Sequence, residues 1–519
     1  MTADRPNVLF VITDQQRADH CGFMGNRVVR TPNLDAVADR GTVFTNAWVA
    51  NPVCMPNRSS IMTGRLPTAH GVVFNDRSLD WQANTFVRRF RAAGYRTALV
   101  GKSHLQHGMS RNSVVSIERT GAAADPYREG WDQIEHFERY VDDPPPDPDD
   151  FYGFDHIQLA IDHGARVTGH HLRWALDNGG ELDDLLVPYS AEAPGTDRSD
   201  GWWQLYRPPY DPSLHSTSFV TAKTIEFIDE ASAQDRPWLA FASFPDPHHP
   251  MTPPGAWFDR HDPDDMELPS SIDDPMTHGL DHLRRIQGFT ARDQRGWVSP
   301  FGTADHDVVR RAIALTYGLI EMVDDGVGRI LAAIEANGQL DDTIVVLTSD
   351  HGDMMGEHGL MMKGFMPYRG TQQVPLAIAD PNAGGGGARS ESLACSVDLG
   401  PTLMDRCGIE DFDGIQGRSL GPILDDSSIA VRDHVLVEDD CPPALAAGRI
   451  PEKLRTVVTP SYRYTRASTG AELLFDTGAD PDELDNLAVT DTALRGEAVE
   501  AMMTALLEAD DLARGAPVA

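Results

Sequence analysis

A chain of 519 residues with 41% hydrophobic content can bury a sizeable core, as one large α/β unit or as about three domains. Its 44 basic and 79 acidic side chains leave a formal net charge of −35, which excludes nucleic acid and anionic membranes as attractive partners. A solubilising acidic surface accounts for that charge better than a funnel for cationic substrates. Five scattered cysteines, Cys21, Cys54, Cys395, Cys407 and Cys441, lack paired metal spacing and are too few, and odd in number, for a disulfide scaffold.

The N-terminus, Met1 to Pro6, leads straight into an apolar strand with no basic n-region or long apolar h-region. No apolar run approaches the roughly 18 residues of a membrane span, so a soluble cytoplasmic protein is expected. In chain order, Asn7 to Ile12, Tyr95 to Val100, Trp238 to Phe244, Ile344 to Thr348 and Val374 to Ala379 are short apolar runs of the kind that form buried strands. Helical patterns lie between them at Asn33 to Asp39, Asn84 to Ala93, Ser218 to Glu230 and from about Asp305 to Ala336. The alternation predicts an α/β fold with a mainly parallel central sheet flanked by helices.

The Asp/Pro-rich stretch between Tyr140 and Gly153 reads as an inserted surface loop, and Gly384 to Gly387 as a flexible joint. After about Leu424 the pattern turns to polar-alternating segments, Arg455 to Val458, Tyr462 to Thr465 and Leu473 to Phe475, then a closing helix. We therefore expect a catalytic domain over 1–424 and a smaller C-terminal α+β subdomain with an antiparallel sheet over 425–519. There is no internal repeat.

A lone cysteine is ordinarily a small buried hydrophobe. Cys54, however, stands in Asn51-Pro52-Val53-Cys54-Met55-Pro56-Asn57-Arg58, followed by a Ser/Thr/Met run able to continue as a helix. Pro56 suits a first helical turn, which places Cys54 just before a helix N-terminus, where free amides and the dipole attract an anion. Arg58 adds a permanently charged planar donor. The arrangement suits a nucleophile that handles an oxyanion.

Open parallel sheets bind ligands beyond the carboxyl ends of their strands. Asp14-Gln15 and Asp350-His351-Gly352-Asp353 both occupy such ends. Each alone reads as a turn or cap, but together with position 54 they form a candidate hard-cation site. One imidazole moves the balance toward Mn²⁺ without excluding Ca²⁺, with Mg²⁺ as a further option.

The Cys-x-Pro-x-Arg run resembles the recognition motif of the formylglycine-dependent sulfatases, within the alkaline phosphatase-like superfamily. Gly94 to His104, carrying Lys102 and His104, is similar to the second sulfatase signature. Pro245-Asp246-Pro247-His248-His249-Pro250 resembles the family's Pro-His-x-Pro loop. Lys363 matches the lysine that follows the Asp-His-Gly segment, and Leu474 to Leu487 resembles the C-terminal signature.

The resemblance implies that a formylglycine-generating or other sulfatase-maturing enzyme oxidises Cys54 to an aldehyde. One hydroxyl of its hydrate attacks sulfur, and the other is deprotonated to release sulfate. It assigns one divalent metal ion to Asp14, Gln15, Cys54, Asp350 and His351, and charge stabilisation and proton transfer to Arg58, Lys102, His104, His248 and Lys363. Asn75 fits either a polar active-site position or a turn, whereas His249, Asp353 and Asp341-Asp342 read as neighbours or surface.

The expected substrate is a small-molecule sulfate ester. The alternative is a phosphonate monoester hydrolase or phosphodiesterase, and a third reading is an unconverted, inactive binder of sulfated ligands. Gln15 and His351, where many sulfatases carry Asp and Asn, resemble choline sulfatases and phosphonate monoester hydrolases, while Lys102 and His104 favour a sulfatase. Asn57 stands where the commonest family form has Ser or Ala. Trp202, Trp203 and Tyr210 fit either the alcohol pocket or plain packing, and a homo-oligomer is compatible with the sequence.

Overall fold

In the computed structural model the described residues are 5–75, 77–107, 130–141, 148, 150–188, 194–234, 236–277, 279–291, 300–384, 386–441 and 452–509. Most of the Asp/Pro-rich stretch, Asp76 and Gly385 lie outside them.

Asn7–Thr13 (β1) is buried along its whole length, as a strand covered on both faces must be. Its alternate residues serve two separate cores. Val8, Phe10 and Ile12 pack with Met55, Phe86 and Phe90, whereas Leu9 and Val11 pack with Leu34, Val37, Phe227, Val327 and Ile330. The first set belongs to helices Cys54–Thr63 and Phe86–Ala92. The second belongs to Pro32–Arg40, Ser216–Ser232 and the long His306–Ala336. Phe10 stacks on Phe241 of the neighbouring strand with ring centroids 4.6 Å apart.

Eight further strands complete this sheet: Thr42–Phe44 (β2), Arg96–Gly101 (β3), His156–Ile161 (β4), Thr168–Gly169 (β5), Trp238–Ser243 (β6), Thr343–Ser349 (β7), Leu376–Ala379 (β8) and Ala388–Ser390 (β9). Their order is β9-β2-β8-β7-β1-β6-β3-β4-β5. The central run β7-β1-β6-β3-β4 is parallel throughout. β8 lies antiparallel to both β7 and β2, so the Val374 to Ala379 run is a strand of reversed direction. The fold is thus α/β with a mainly parallel central sheet, as the sequence pattern predicts.

C-terminally, Val435–Asp440 (β10), Lys453–Val458 (β11), Tyr462–Ala467 (β12) and Glu472–Asp476 (β13) form an antiparallel sheet backed by helix Thr492–Ala509. β10 ties this sheet to the rest of the chain: Glu438 N donates to Ala50 O at 2.9 Å, and Phe365 N donates to Asp439 Oδ2 at 2.8 Å. Trp202 packs edge-on against Phe301 at 5.0 Å in a buried cluster that includes Trp203, so both indoles are packing groups. Among the described residues no helix is long and apolar enough to cross a membrane.

Candidate active site

Each of the five parallel strands ends in a polar group at the same edge of the sheet. Asp14 follows β1, Lys102 follows β3, Asp162-His163 follow β4, the His248 loop follows β6, and Asp350-His351 follow β7. Close backbone approach aligns these ends. At Gly101, where φ is +108°, an added Cβ would lie 1.8 Å from the Ser243 carbonyl oxygen, and Lys102 N donates to that same oxygen at 2.9 Å. Gln15 and His104 adopt left-handed φ values of 65° and 55°, which are uncommon for such side chains and cluster at functional sites.

Cys54 is the first residue of its helix, not the residue before it, because extended Val53 serves as N-cap. Asn75 Oδ1 accepts from Met55 N at 3.0 Å and so caps this end. The Cys54 sulfur, 1% exposed, lies 3.1 Å from His351 Nε2 and 3.8 Å from Asp14 Oδ1. Burial and Asp14 raise its pKa, but Lys102, Lys363 and His351 outweigh them and hold it well below that of an ordinary thiol.

Donor atoms of Asp14, Cys54, Asp350 and His351 all lie within 4.8 Å of one another. His351 Nδ1 faces the Gly352 carbonyl oxygen at 2.8 Å, which turns Nε2 toward the site. Gln15 N donates to Asp350 Oδ1 at 3.1 Å, and its side-chain oxygen accepts from Lys363 Nζ at 2.6 Å. Two carboxylates and one imidazole nitrogen around position 54, with the Gln15 amide alongside, fit a hard or borderline divalent cation.

Arg58 is consumed inside the protein. Its Nε donates to Asp350 Oδ2 at 2.7 Å, Nη2 to Asp14 Oδ2 at 3.2 Å, and Nη1 to Lys102 O and Ser243 Oγ at 3.0 and 2.8 Å. It therefore holds the two carboxylates in register. Burial alone would raise the Asp14 pKa, yet Lys102 and Arg58 keep it well below the carboxylate range. Asn57 is fully buried: Nδ2 donates to Asp350 O at 2.5 Å, and Oδ1 accepts from Ala50 N at 3.0 Å and Ser396 Oγ at 2.6 Å.

A cradle of amines and imidazoles faces this centre. Lys102 Nζ contacts Asp14 Oδ2 and His163 Nε2, and Lys363 Nζ contacts His248 Nε2. His163, His248 and His249 form a stack with centroid spacings of 3.6 and 4.0 Å. His104 borders the Cys54 sulfur; burial, then Lys102, lowers its pKa to about 4 and keeps it neutral. Burial likewise holds His163, His248 and His249 well below the usual histidine range.

All ten side chains proposed from the sequence for metal binding or catalysis thus converge. Three more join them. His163 was not foreseen, and Asp353 and His249, read as mere neighbours, both hold the amide of Gln15. Asp341 behaves as surface and pairs with Arg40 at 3.0 Å.

Comparison with known proteins places the chain in a family. The sulfatase family profile matches residues 6–409, and the profile described as N-sulphoglucosamine sulphohydrolase, C-terminal, matches residues 356–510. An arylsulfatase of Clostridium perfringens is 29% identical over 93% of this chain and 90% of its own. A choline-sulfatase of Rhizobium meliloti is 27% identical over 97% of this chain and 86% of its own. The crystal structure of a phosphonate monoester hydrolase of Agrobacterium radiobacter superposes with a TM-score of 0.78 at 26% identity, covering 98% of this chain and 97% of that one. With a match over most of its length and sulfatases among its relatives, the chain belongs to the sulfatase family and is a sulfuric ester hydrolase.

Proposed function

We propose that the protein hydrolyses sulfate monoesters of small aryl or alkyl alcohols, using an aldehyde hydrate derived from Cys54. The observation that carries this reading is the placement of Cys54 at a helix N-terminus, against His351 and Asp14 and bordered by His104. The Sγ atom stands in for the hydroxyl oxygens of the converted residue. A sulfatase-maturing enzyme is the partner this reading requires.

In the first step one hydroxyl oxygen of the hydrate gives its proton to Asp14 Oδ1, the acceptor facing position 54, and bonds to sulfur as the bond from sulfur to the ester oxygen breaks. The departing alkoxide needs a proton and a positive field. The Lys363 ammonium, held by His248 Nε2, supplies both, giving a proton to the departing oxygen. Lys102 balances charge on the transferred group, and the N-terminal amides of the helix add to its field.

In the second step neutral His104 takes the proton of the remaining hydroxyl, the bond from carbon to the sulfate oxygen breaks, and the carbonyl re-forms as sulfate leaves. Asp14, Gln15, Asp350 and His351 would hold the divalent cation, whose charge makes a neighbouring hydroxyl more acidic. Arg58 keeps Asp14 and Asp350 oriented through both steps.

A second reading, phosphonate monoester or phosphodiester hydrolysis, is supported by Gln15, by His351 and by the phosphonate monoester hydrolase fold match. Those esters carry one negative charge on the transferred group, as sulfate monoesters do, so one cradle can serve both. Measuring kcat/KM for an aryl sulfate and a phenyl phosphonate ester on one preparation decides between them. We expect the sulfate to be preferred; a large phosphonate preference would overturn the sulfatase reading. Peptide mass spectrometry at position 54 tests the nucleophile, and a quantitatively unmodified thiol in active protein would refute it.

A further inference from the structure

Gln15 brings no charge to the cation site, yet a carboxylate stands directly behind it. Its Nε2 faces Asp353 Oδ2 and His249 Nδ1, the latter at 2.9 Å, while its Oε1 faces Lys363 at 2.6 Å. Only this amide orientation matches donors with acceptors. Asp353 is rigidly held: Oδ1 accepts from Met355 N at 2.7 Å and Met362 N at 3.1 Å, and its carbonyl accepts from Arg17 Nη1 at 2.8 Å. Both Asp353 and His249 are buried, with 0% and 1% exposure, so neither can turn to solvent.

We infer that Asp353, assisted by His249, is a positioning residue that fixes the Gln15 amide with its oxygen toward the cation and supplies, one layer out, the negative charge that Gln15 lacks. The pair then behaves as one unit. A carboxylate at position 15 would press against the Asp353 carboxylate, and an amide at position 353 would set two NH₂ groups against each other. Exchanging the two chemistries together restores complementarity. In the exchanged pair the amide oxygen at position 353 would still accept from Met355 and Met362, while its NH₂ donates to the carboxylate at position 15.

The inference rests on the cation site proposed above, and its test reads metal affinity without turnover. Full-length protein is stripped with chelator and titrated with Mn²⁺, and in parallel with Ca²⁺, by calorimetry. We expect Asp353→Asn and Gln15→Glu each to weaken binding by about 10- to 100-fold, the scale typical of outer-layer ligand partners. The double variant Gln15→Glu/Asp353→Asn should recover to within about threefold of wild type. Thermal melts accompany each titration, and a single variant that fails to fold beside a folded double variant is the same coupling in another form. Wild-type affinity in both single variants, or a double variant no better than the weaker single one, overturns the inference alone. Wild type binding neither ion overturns it together with the cation site.

Discussion

The Nε2 atom of His163 accepts from the ammonium of Lys102, while Asp162 Oδ1 lies 3.2 Å from its Nδ1. Asp162 and Gly164, with φ of 76° and 58°, bracket the histidine in a tight turn that aims it at the site. Asp14, His163 and His248 also present three ligand atoms within 4.8 Å of one another, which by spacing alone would suit a second cation. The lysine ammoniums on both imidazole nitrogens argue instead for an anion cradle.

His163 thus sets the position of Lys102 and, through its stacked ring, that of His248. Removing it in His163→Ala should lower kcat/KM by about 10- to 100-fold, with the loss chiefly in kcat, because misplacement by a fraction of an ångström weakens transition-state contacts more than ground-state binding. His163→Gln, which keeps an acceptor for Lys102, should recover part of the loss. Rates are to be expressed per converted residue 54, and an alanine variant within threefold of wild type would remove His163 from the cradle.

Substituting Cys54, the nucleophile of the proposed mechanism, separates chemistry from folding. Cys54 is a small side chain in a buried helix turn, so Cys54→Ala should leave the melting temperature within a few degrees while abolishing turnover. Cys54→Ser retains one hydroxyl but no second one to expel sulfate. It should release at most about one equivalent of alcohol per site and then stall as an ester awaiting water. Steady multiple turnover by either variant is the outcome that sinks the aldehyde mechanism.

Acid should destabilise the fold earlier than carboxylates alone would dictate. Burial lowers His20, His104, His170 and His171 from 6.5 to about 4, and His70 to about 3. Between about pH 6.5 and pH 4 the unfolded chain therefore binds protons that the folded chain does not, so stability present above pH 6.5 falls as the pH drops. Asp324 and Asp439, raised by burial to about 6 and about 7, act in the opposite sense but are fewer. Urea midpoints at pH 7.5 and 5.0 should show a clear drop at the lower pH; equal midpoints would contradict the buried neutral imidazoles.

Much of the fold is legible because strands covered on both faces must be continuously apolar. Asn7 to Ile12, Trp238 to Phe244 and Ile344 to Thr348 appear within a residue or two of their real limits. The site residues directly after them were legible because strand ends of a parallel sheet collect ligands. Strand direction is not written in an apolar run, so the reversal at Leu376–Ala379 was hidden. β4 alternates, with His156 and Gln158 partly exposed, and lies toward the sheet's edge, which concealed the strand and with it His163.

β10 was concealed by Glu438-Asp439-Asp440, three acids that read as surface. All three are buried, because Thr68, Phe365 N and Arg455 meet them. The same limit applies to Asp353 and Gln15. Their pairing spans 338 residues of sequence, and no local pattern records it.

Asn57 gives the last prediction. The commonest family form places Ser or Ala at this motif position, so Asn57→Ala looks like a harmless return to type. The buried amide, however, joins Asp350 O, Ala50 N and Ser396 Oγ, and thereby ties the Asp350 loop to the helix that carries Cys54. Truncation removes the donor to Asp350 O and the acceptor of the Ser396 hydroxyl at a fully buried position, while Ala50 N keeps Ser396 Oγ at 3.0 Å. It should cost about 2–4 kcal/mol of stability and, by loosening Asp350, weaken the cation site. Asn57→Ser should fall between, since one hydroxyl cannot span both directions. Urea melts of the three proteins at pH 7.5 check the order, and an alanine variant as stable as wild type would show that water or repacking replaces the amide at no cost.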